Sequence, residues 1–179
     1  LIDGSLKSLN DAGLDVHLFD AVEADPPAKI VKDAIDAART HNADGVIGFG
    51  GGSSMDTSKV IAVLLNSDQS LEEIYGMDQV TRERSPLVLL PTTAGTGSEV
   101  TNISVITTDS DQKMGVLARQ LYADTAVLDA ALTLSMPRAT TAATGIDAMV
   151  HAIEAFTTKF KKNPVSDALA TKALNLLSS

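Results

Sequence analysis

Asp147 and His151 lie four residues apart in the segment Gly-Ile-Asp-Ala-Met-Val-His-Ala-Ile-Glu. On a helix, this spacing places a carboxylate and an imidazole on one face, one turn apart, where both can reach a single divalent metal ion. Such sites generally need three or four protein ligands, and the other histidines, His17 and His41, lie far upstream. The pair therefore indicates either a polar helix face or half of a metal site. Glu154 falls on the same face, and we interpret it as a helix-surface or interdomain hydrogen-bonding residue.

A glycine run, Gly50-Gly51-Gly52, followed by Ser53, stands between a predicted strand and a predicted helix. Exposed backbone N–H groups and the helix dipole favour phosphate at such a turn, and the Ser53 hydroxyl adds a donor. The run completes neither common nucleotide fingerprint, because Ser53 replaces the third glycine of G-x-G-x-x-G and no Gly-Lys-Ser/Thr follows. A phosphate-binding loop and a tight turn both remain open.

Two further features belong to the same end of the predicted strands. Asp20 ends a predicted strand, where a carboxylate can accept both hydroxyls of an adenosine ribose and repel a 2′-phosphate, which favours NAD over NADP. A solvated turn residue is the alternative. Residues 92–101 follow another predicted strand and contain four threonines, two glycines and a serine. They indicate either a polar ligand site or a flexible surface loop, and we expect the two loops to converge at one sheet edge.

Strand and helix patterns alternate through residue 136, and these predicted elements position the candidate residues described above. We predict strands at 14–19, 44–49, 86–90 and 125–128, helices at 26–41 and 54–65, and a hairpin over 100–107 and 114–118. This order is typical of a layered α/β fold with a parallel sheet. From residue 138 the pattern is helical throughout, with Asn163-Pro164 separating two helices. We therefore predict an α/β domain at 1–136 and the beginning of a helical domain at 137–179.

Composition excludes several classes of function. The net charge of −9 and the absence of a large basic cluster argue against nucleic-acid binding. No apolar run approaches the ~18 residues of a membrane-spanning helix. The chain has no cysteine, which excludes disulfides and thiolate metal sites and fits a cytoplasmic protein. It begins without Met and ends within a helical pattern, so we expect a fragment truncated at both ends.

Three segments, in this order and spacing, resemble the iron-containing (group III) alcohol dehydrogenases, and the resemblance covers nearly the whole chain. They are Gly50-Gly51-Gly52-Ser53-Ser54-Met55-Asp56-Thr57-Ser58-Lys59, then Pro91-Thr92-Thr93-Ala94-Gly95-Thr96-Gly97-Ser98-Glu99-Val100-Thr101, and Ala143-Thr144-Gly145-Ile146-Asp147-Ala148-Met149-Val150-His151-Ala152-Ile153-Glu154-Ala155-Phe156.

The resemblance implies a Rossmann-like dinucleotide-binding domain followed by the start of an all-helical, dehydroquinate-synthase-like domain, with the active site between them. It implies that Asp20 binds the adenosine ribose and that Asp56 contacts the nicotinamide side. The full set of implied cofactor contacts is Asp20, Gly51, Gly52, Ser53, Asp56, Thr92, Thr96, Thr101 and Lys113, and the implied metal ligands are Asp147 and His151. The sequence departs from the family at Ser54, where Pro is usual. It also ends before two further histidine ligands.

The implied function is hydride transfer between a small alcohol or aldehyde and NAD at a divalent metal, in a homo-oligomer of two or more subunits. Mixed oxygen and nitrogen ligands suit Fe(II), with Zn or Mn as alternatives. A glycerol dehydrogenase and a dehydroquinate-synthase-like lyase share this architecture, but the intact Thr-Thr-Ala-Gly-Thr-Gly-Ser-Glu stretch argues against both. A related polyol dehydrogenase is an open alternative. A maleylacetate reductase would lack the aspartate ligand. The non-enzyme alternative is a nucleotide-binding fragment without turnover.

Overall fold

The structure, a computed structural model, describes residues 2–178. Its α-helices are α1 (Ile2–Asp11), α2 (Ala28–Thr40), α3 (Gly52–Leu64), α4 (Arg138–Thr157) and α5 (Pro164–Leu177). Its strands are β1 (Val46–Gly50), β2 (Gly76–Met77), β3 (Leu87–Pro91), β4 (Ile103–Thr107), β5 (Lys113–Leu117) and β6 (Thr125–Ala126).

Strands β1, β3 and β6 form a parallel sheet in that order, which confirms the predicted α/β fold with parallel strands. Helix α3 packs closely on β1 because Gly48 has no side chain. A Cβ there would lie 2.6 Å from Leu89 Cδ2 and 2.8 Å from Ser58 Oγ. Apolar residues of α2 and α3, including Val31, Val60 and Leu64, fill the main core. The close approach fixes the start of α3 against the carboxyl end of β1.

A second sheet, in the order β2-β5-β4, lies beside this core. Its β4–β5 pair is antiparallel, as the hairpin prediction required, with Ile103 opposite Leu117 and Thr107 opposite Lys113. Strand β2 has only two residues and was not predicted, because a segment so short carries no detectable alternation. The hairpin brings the end of residues 92–101 against α3.

The predicted strand at 14–19 is wrong: residues 14–23 have no regular secondary structure. A strand exists only where a neighbour accepts and donates its backbone hydrogen bonds, and within residues 2–178 no strand pairs with this segment. Alternation of apolar and polar residues indicates a strand without supplying that partner. The strand predicted at 125–128 is shorter than expected, since only Thr125–Ala126 pairs with β3.

An arginine–carboxylate clamp joins the segments that precede β3 and β6. The Arg84 guanidinium donates two hydrogen bonds to the Asp124 carboxylate, at 2.6 and 2.7 Å. Asp124 also accepts a 2.8 Å bond from the backbone N–H of Leu87. These donors lower the pKa of Asp124 to about 2. The clamp sets the parallel pairing of a strand too short to define its own register.

From residue 138 onward the described chain is helical, as predicted. Asn163 is the N-cap residue of α5, and its side chain accepts hydrogen bonds from the backbone N–H groups of Val165 and Ser166 in a capping box. Helices α4 and α5 pack chiefly on each other. The division into domains at 136/137 stays a prediction. Within residues 2–178, no helix combines the length and apolar character needed to cross a membrane.

Candidate cofactor and metal site

The glycine loop forms the N-terminus of α3. Gly50 has a φ of +152°, and a Cβ there would lie 2.5 Å from Ser54 Oγ, so the turn requires glycine. Gly51 is the N-cap residue, and no side chain caps the helix. The first N–H groups of α3, beginning at Gly52 and Ser53, therefore have no side-chain acceptor at the positive end of the helix dipole. This arrangement suits a phosphate group.

The loop at residues 92–101 lies directly against the glycines, which confirms the predicted convergence. The N–H of Thr92 donates to the carbonyl of Gly50 at 2.9 Å. A Cβ on Gly51 would lie 3.3 Å from Thr93 Cγ2, and one on Gly52 would lie 3.0 Å from Thr96 Cγ2. Parallel pairing of β1 and β3, with Gly50 opposite Pro91, causes this approach. The missing side chains of the two glycines let Thr93 and Thr96 approach the turn this closely.

Thr93 has a buried hydroxyl with no hydrogen-bond partner within residues 2–178. A buried unpaired hydroxyl is costly, so it points to an absent partner. Because Thr93 contacts the position of the Gly51 Cβ, that partner would lie at the glycine turn. The chemistry of this cradle fits a dinucleotide pyrophosphate. Thr93 is not among the predicted contacts, although the threonine density of its loop was the available signal.

A buried polar network connects α3 to the loop at residues 92–101, the second loop of the site. Asp56 accepts a 2.5 Å hydrogen bond from Ser98 Oγ and a 2.9 Å bond from the N–H of Val105. Lys59 Nζ donates to Ser98 Oγ at 2.8 Å and to Thr101 Oγ1 at 3.1 Å. Two predicted cofactor contacts, Asp56 and Thr101, are thus held by one lysine. The patterns did not indicate Lys59 or Ser98, since nothing in sequence shows that residues 39 positions apart meet.

Asp20 and Lys113 belong to neither loop: Asp20 lies in a segment without regular secondary structure, and Lys113 is in β5. Asp20 is exposed, and within the described chain its side chain has no hydrogen-bond or ion-pair partner. Lys113 is the first residue of β5 and lies about 13 Å along this strand from Leu117, which pairs with Ile103. Its Nζ is 2.7 Å from Asp25 Oδ1, so Lys113 contacts the segment that follows Asp20. Their cofactor roles remain predictions.

The predicted metal ligands, Asp147 and His151, are partly exposed side chains of α4. His151 Nε2 is 3.6 Å from Asp147 Oδ2, and the side chains are 55% and 44% exposed. Glu154 Oε2 lies 4.0 Å from His151 Nδ1. No group of three or more His, Cys, Asp or Glu side chains in residues 2–178 is arranged to hold a metal ion. The oxygen and nitrogen donors of this pair suit a divalent ion, and their role as metal ligands stays a prediction.

One close contact ties this helix to the second loop. A Cβ on Gly95 would lie 2.5 Å from the carbonyl oxygen of Thr144 and 2.7 Å from its Cβ. Thr144 precedes Asp147 by three residues and His151 by seven, so all three share one helix face. Asp147 and His151 therefore lie on the face of α4 that meets the loop at residues 92–101.

Comparisons with known proteins find two matching family models. Residues 1–130 match the model of the iron-containing alcohol dehydrogenases, and residues 141–179 match that of the family's C-terminal region. The sulfoacetaldehyde reductase of Bilophila wadsworthia is 40% identical over 172 residues, which is 96% of this chain and 44% of the relative.

Solved structures show the same fold. The crystal structure of a 1,3-propanediol oxidoreductase superposes with a TM-score of 0.95 at 35% identity, covering 99% of this chain and 46% of that one. The sulfoacetaldehyde reductase of Bifidobacterium kashiwanohense, solved in complex with NAD+, gives 0.89 at 33% identity, covering 98% and 47%. The chain thus spans less than half the length of these relatives.

Proposed function

Because the chain belongs to the iron-containing alcohol dehydrogenase family, we propose that the protein to which it belongs transfers hydride between a small alcohol or aldehyde and NAD. The observation that carries this proposal is the convergence of the glycine turn with the threonine-rich loop, where the Thr93 hydroxyl lacks a partner. The related sulfoacetaldehyde reductase solved with NAD+ supports a dinucleotide as the ligand.

The cofactor would lie across the carboxyl ends of β1 and β3. Gly51, Gly52 and Ser53 would receive the pyrophosphate on backbone N–H groups, and Thr92 and Thr96 would line the opposite wall. Asp20 would accept the ribose hydroxyls and disfavour a 2′-phosphate, so NAD is preferred over NADP. Lys113 would approach from the segment after Asp20, and Asp56 with Thr101 would border the nicotinamide.

Asp147 and His151 would supply a carboxylate oxygen and an imidazole nitrogen to a divalent metal. When bound, that metal polarises the substrate oxygen as a Lewis acid. The mixed donor set favours Fe(II), with Zn or Mn as alternatives. Close packing of Thr144 on Gly95 would hold this helix face toward the cofactor loops.

Calorimetric titration of the chain with NAD tests the cofactor site. Gly52→Val should weaken NAD binding by about tenfold or more, because its side chain fills the cradle beside Thr96. Gly45→Ala is the matched control, since a Cβ there lies 3.6 Å from Pro86, an ordinary contact. Asp20→Ala should raise the affinity for NADP relative to NAD. Equal NAD binding by the Gly52 variant and wild type would contradict the proposed cradle.

Metal analysis of the full-length protein tests the second half of the proposal. Asp147→Ala and His151→Ala, made separately, should each lower bound metal and alcohol oxidation, while Glu154→Gln should leave the metal content near that of wild type. Unchanged metal content and turnover in both ligand variants would exclude this metal site.

A second function, nucleotide binding without turnover, is favoured for the chain alone by the presence of only two metal ligands in residues 2–178. Assays of butanol and propanediol oxidation, with Fe(II) or Zn(II) added to the NAD-bound chain, separate the two. Binding without turnover would support the fragment function. We also propose a cytoplasmic homo-oligomer, which sedimentation and cell fractionation of the full-length protein would test.

A further inference from the structure

Lys59 is a charged side chain with no exposed surface, placed in the second turn of α3. Its ammonium donates to Ser98 Oγ and to the carbonyl oxygen of Ile103, both at 2.8 Å, and to Thr101 Oγ1 at 3.1 Å. These three acceptors satisfy all three donors of an ammonium group. Burial lowers the pKa of Lys59, and the nearby Asp56 carboxylate opposes that shift.

The three shortest hydrogen bonds of Lys59 reach acceptors outside its own helix, in the loop at residues 92–101 and at the start of β4, and a longer one of 3.5 Å reaches Asp56 Oδ1 on α3 itself. Ser98 relays the interaction, because its hydroxyl accepts from Lys59 and donates to Asp56 Oδ1 at 2.5 Å. Asp56 Oδ2 accepts from the N–H of Val105 at 2.9 Å. Lys59 therefore joins α3 to the two neighbouring segments through charge-assisted hydrogen bonds.

Asp56 belongs to this hydrogen-bond network but is not fully buried by it. Its side chain keeps 17% of its surface exposed, whereas Lys59 keeps none. A carboxylate has about four acceptor positions, and the Oδ2 atom has one in use. Oδ1 accepts from Ser98 and Lys59 and Oδ2 accepts from Val105, so one acceptor position of Oδ2 has no hydrogen-bond partner within residues 2–178 and is available to a ligand.

We propose that Lys59 is a positioning residue for the nicotinamide half of the cofactor, holding Asp56 and Thr101 in the orientation that this half requires. The inference rests on the proposed function, because it takes the two residues as borders of the nicotinamide. It goes further in assigning their orientation to a residue that touches no ligand. The phosphate-binding turn at Gly51 and Gly52 has no hydrogen bond to Lys59, so the adenosine half should be insensitive to it.

The experiment compares NAD with ADP-ribose, which has the same adenosine and pyrophosphate but lacks nicotinamide. Both are titrated calorimetrically into wild type, Lys59→Met and Ser98→Ala, at a temperature where circular dichroism shows each variant to be folded. Val63→Ala is the matched control for lost stability, because Val63 is buried one turn later on the same helix and belongs to the main core. Lys59→Met should weaken NAD binding by about tenfold, with ADP-ribose changed by less than about threefold.

A loss of packing alone would affect both ligands equally and would appear in the Val63 variant as well. If Lys59→Met does not fold, Ser98→Ala decides, since it removes only the hydroxyl between Lys59 and Asp56 and should also weaken NAD selectively. Equal weakening of both ligands, or no change in either, overturns the positioning role while leaving NAD binding established. Failure of wild type to bind either ligand instead overturns the proposed function, and this inference with it.

Discussion

Replacing Gly95 by Ala tests the contact between the second loop and α4. The added Cβ would lie 2.5 Å from the carbonyl oxygen of Thr144 and 2.7 Å from its Cβ. Neither atom can rotate away, because one is backbone and the other is fixed to it in the middle of a 20-residue helix. The loop or the helix must therefore move by several tenths of an ångström. Overpacking of this kind costs about 1–3 kcal/mol.

The matched control is Gly145→Ala, one residue after Thr144 on the same helix. A Cβ at Gly145 meets no atom within 4 Å. Replacing an unconstrained glycine in a helix interior stabilises by about 0.5–1 kcal/mol. The same substitution, from Gly to Ala, should thus change the free energy of unfolding in opposite directions, destabilising at a loop position without space for a Cβ and stabilising at a helix position that has it.

Urea unfolding followed by circular dichroism at 222 nm measures both free energies, and hydrogen exchange of the peptides covering residues 138–157 locates the change. We expect faster exchange in α4 for Gly95→Ala and slower exchange for Gly145→Ala. If Gly95→Ala matches wild type in unfolding free energy and in exchange, the loop and α4 are not in contact in solution. The proposed approach of the metal pair to the cofactor loops would then lose its structural basis.

Two further predictions concern the clamp and a helix cap. The pKa of Asp124 is about 2 in the folded protein, below its usual value, so its contribution to stability is complete above about pH 5 and is lost as the pH falls toward 2. Because this side chain is 55% exposed, Asp124→Asn should cost only about 1 kcal/mol at pH 7, with the difference from wild type shrinking in unfolding curves between pH 5 and 3. Asn163→Ala removes the acceptor for two first-turn N–H groups of α5 and should cost about 1 kcal/mol, visible as faster hydrogen exchange over residues 164–177, whereas Asn175→Ala should not increase it. Unchanged exchange in the Asn163 variant would contradict the capping role.

Local patterns predicted most of the secondary structure because each carries its own physical signal. The apolar period of α2, the glycine turn before α3 and the hairpin over β4 and β5 were all placed within a few residues. The strand at 14–19 was predicted wrongly, since alternation cannot show whether a pairing partner is present. The two-residue strand β2 was not predicted, because it exists only through its pairing with β5.

The sequence also identified the two loops and the Asp147–His151 pair as candidate binding residues. Glycines before a helix leave its first N–H groups accessible, and a four-residue spacing puts two side chains on one helix face. Residue types and local spacing were enough to suggest phosphate binding and metal ligation, but they left a tight turn and a polar helix face open as alternatives. Their matching order along the chain was enough to indicate the family, which the comparisons confirm.

Only the tertiary structure decided how these parts meet. Parallel pairing of β1 with β3 puts the glycines against Thr93 and Thr96, and the missing side chain of Gly95 lets α4 approach the same loop. Lys59 acquires its role only because folding buries it among acceptors about 40 residues later in the chain. A sequence specifies which groups are available within a turn or two, whereas the balance of burial and hydrogen bonding in the folded chain determines which distant groups become partners.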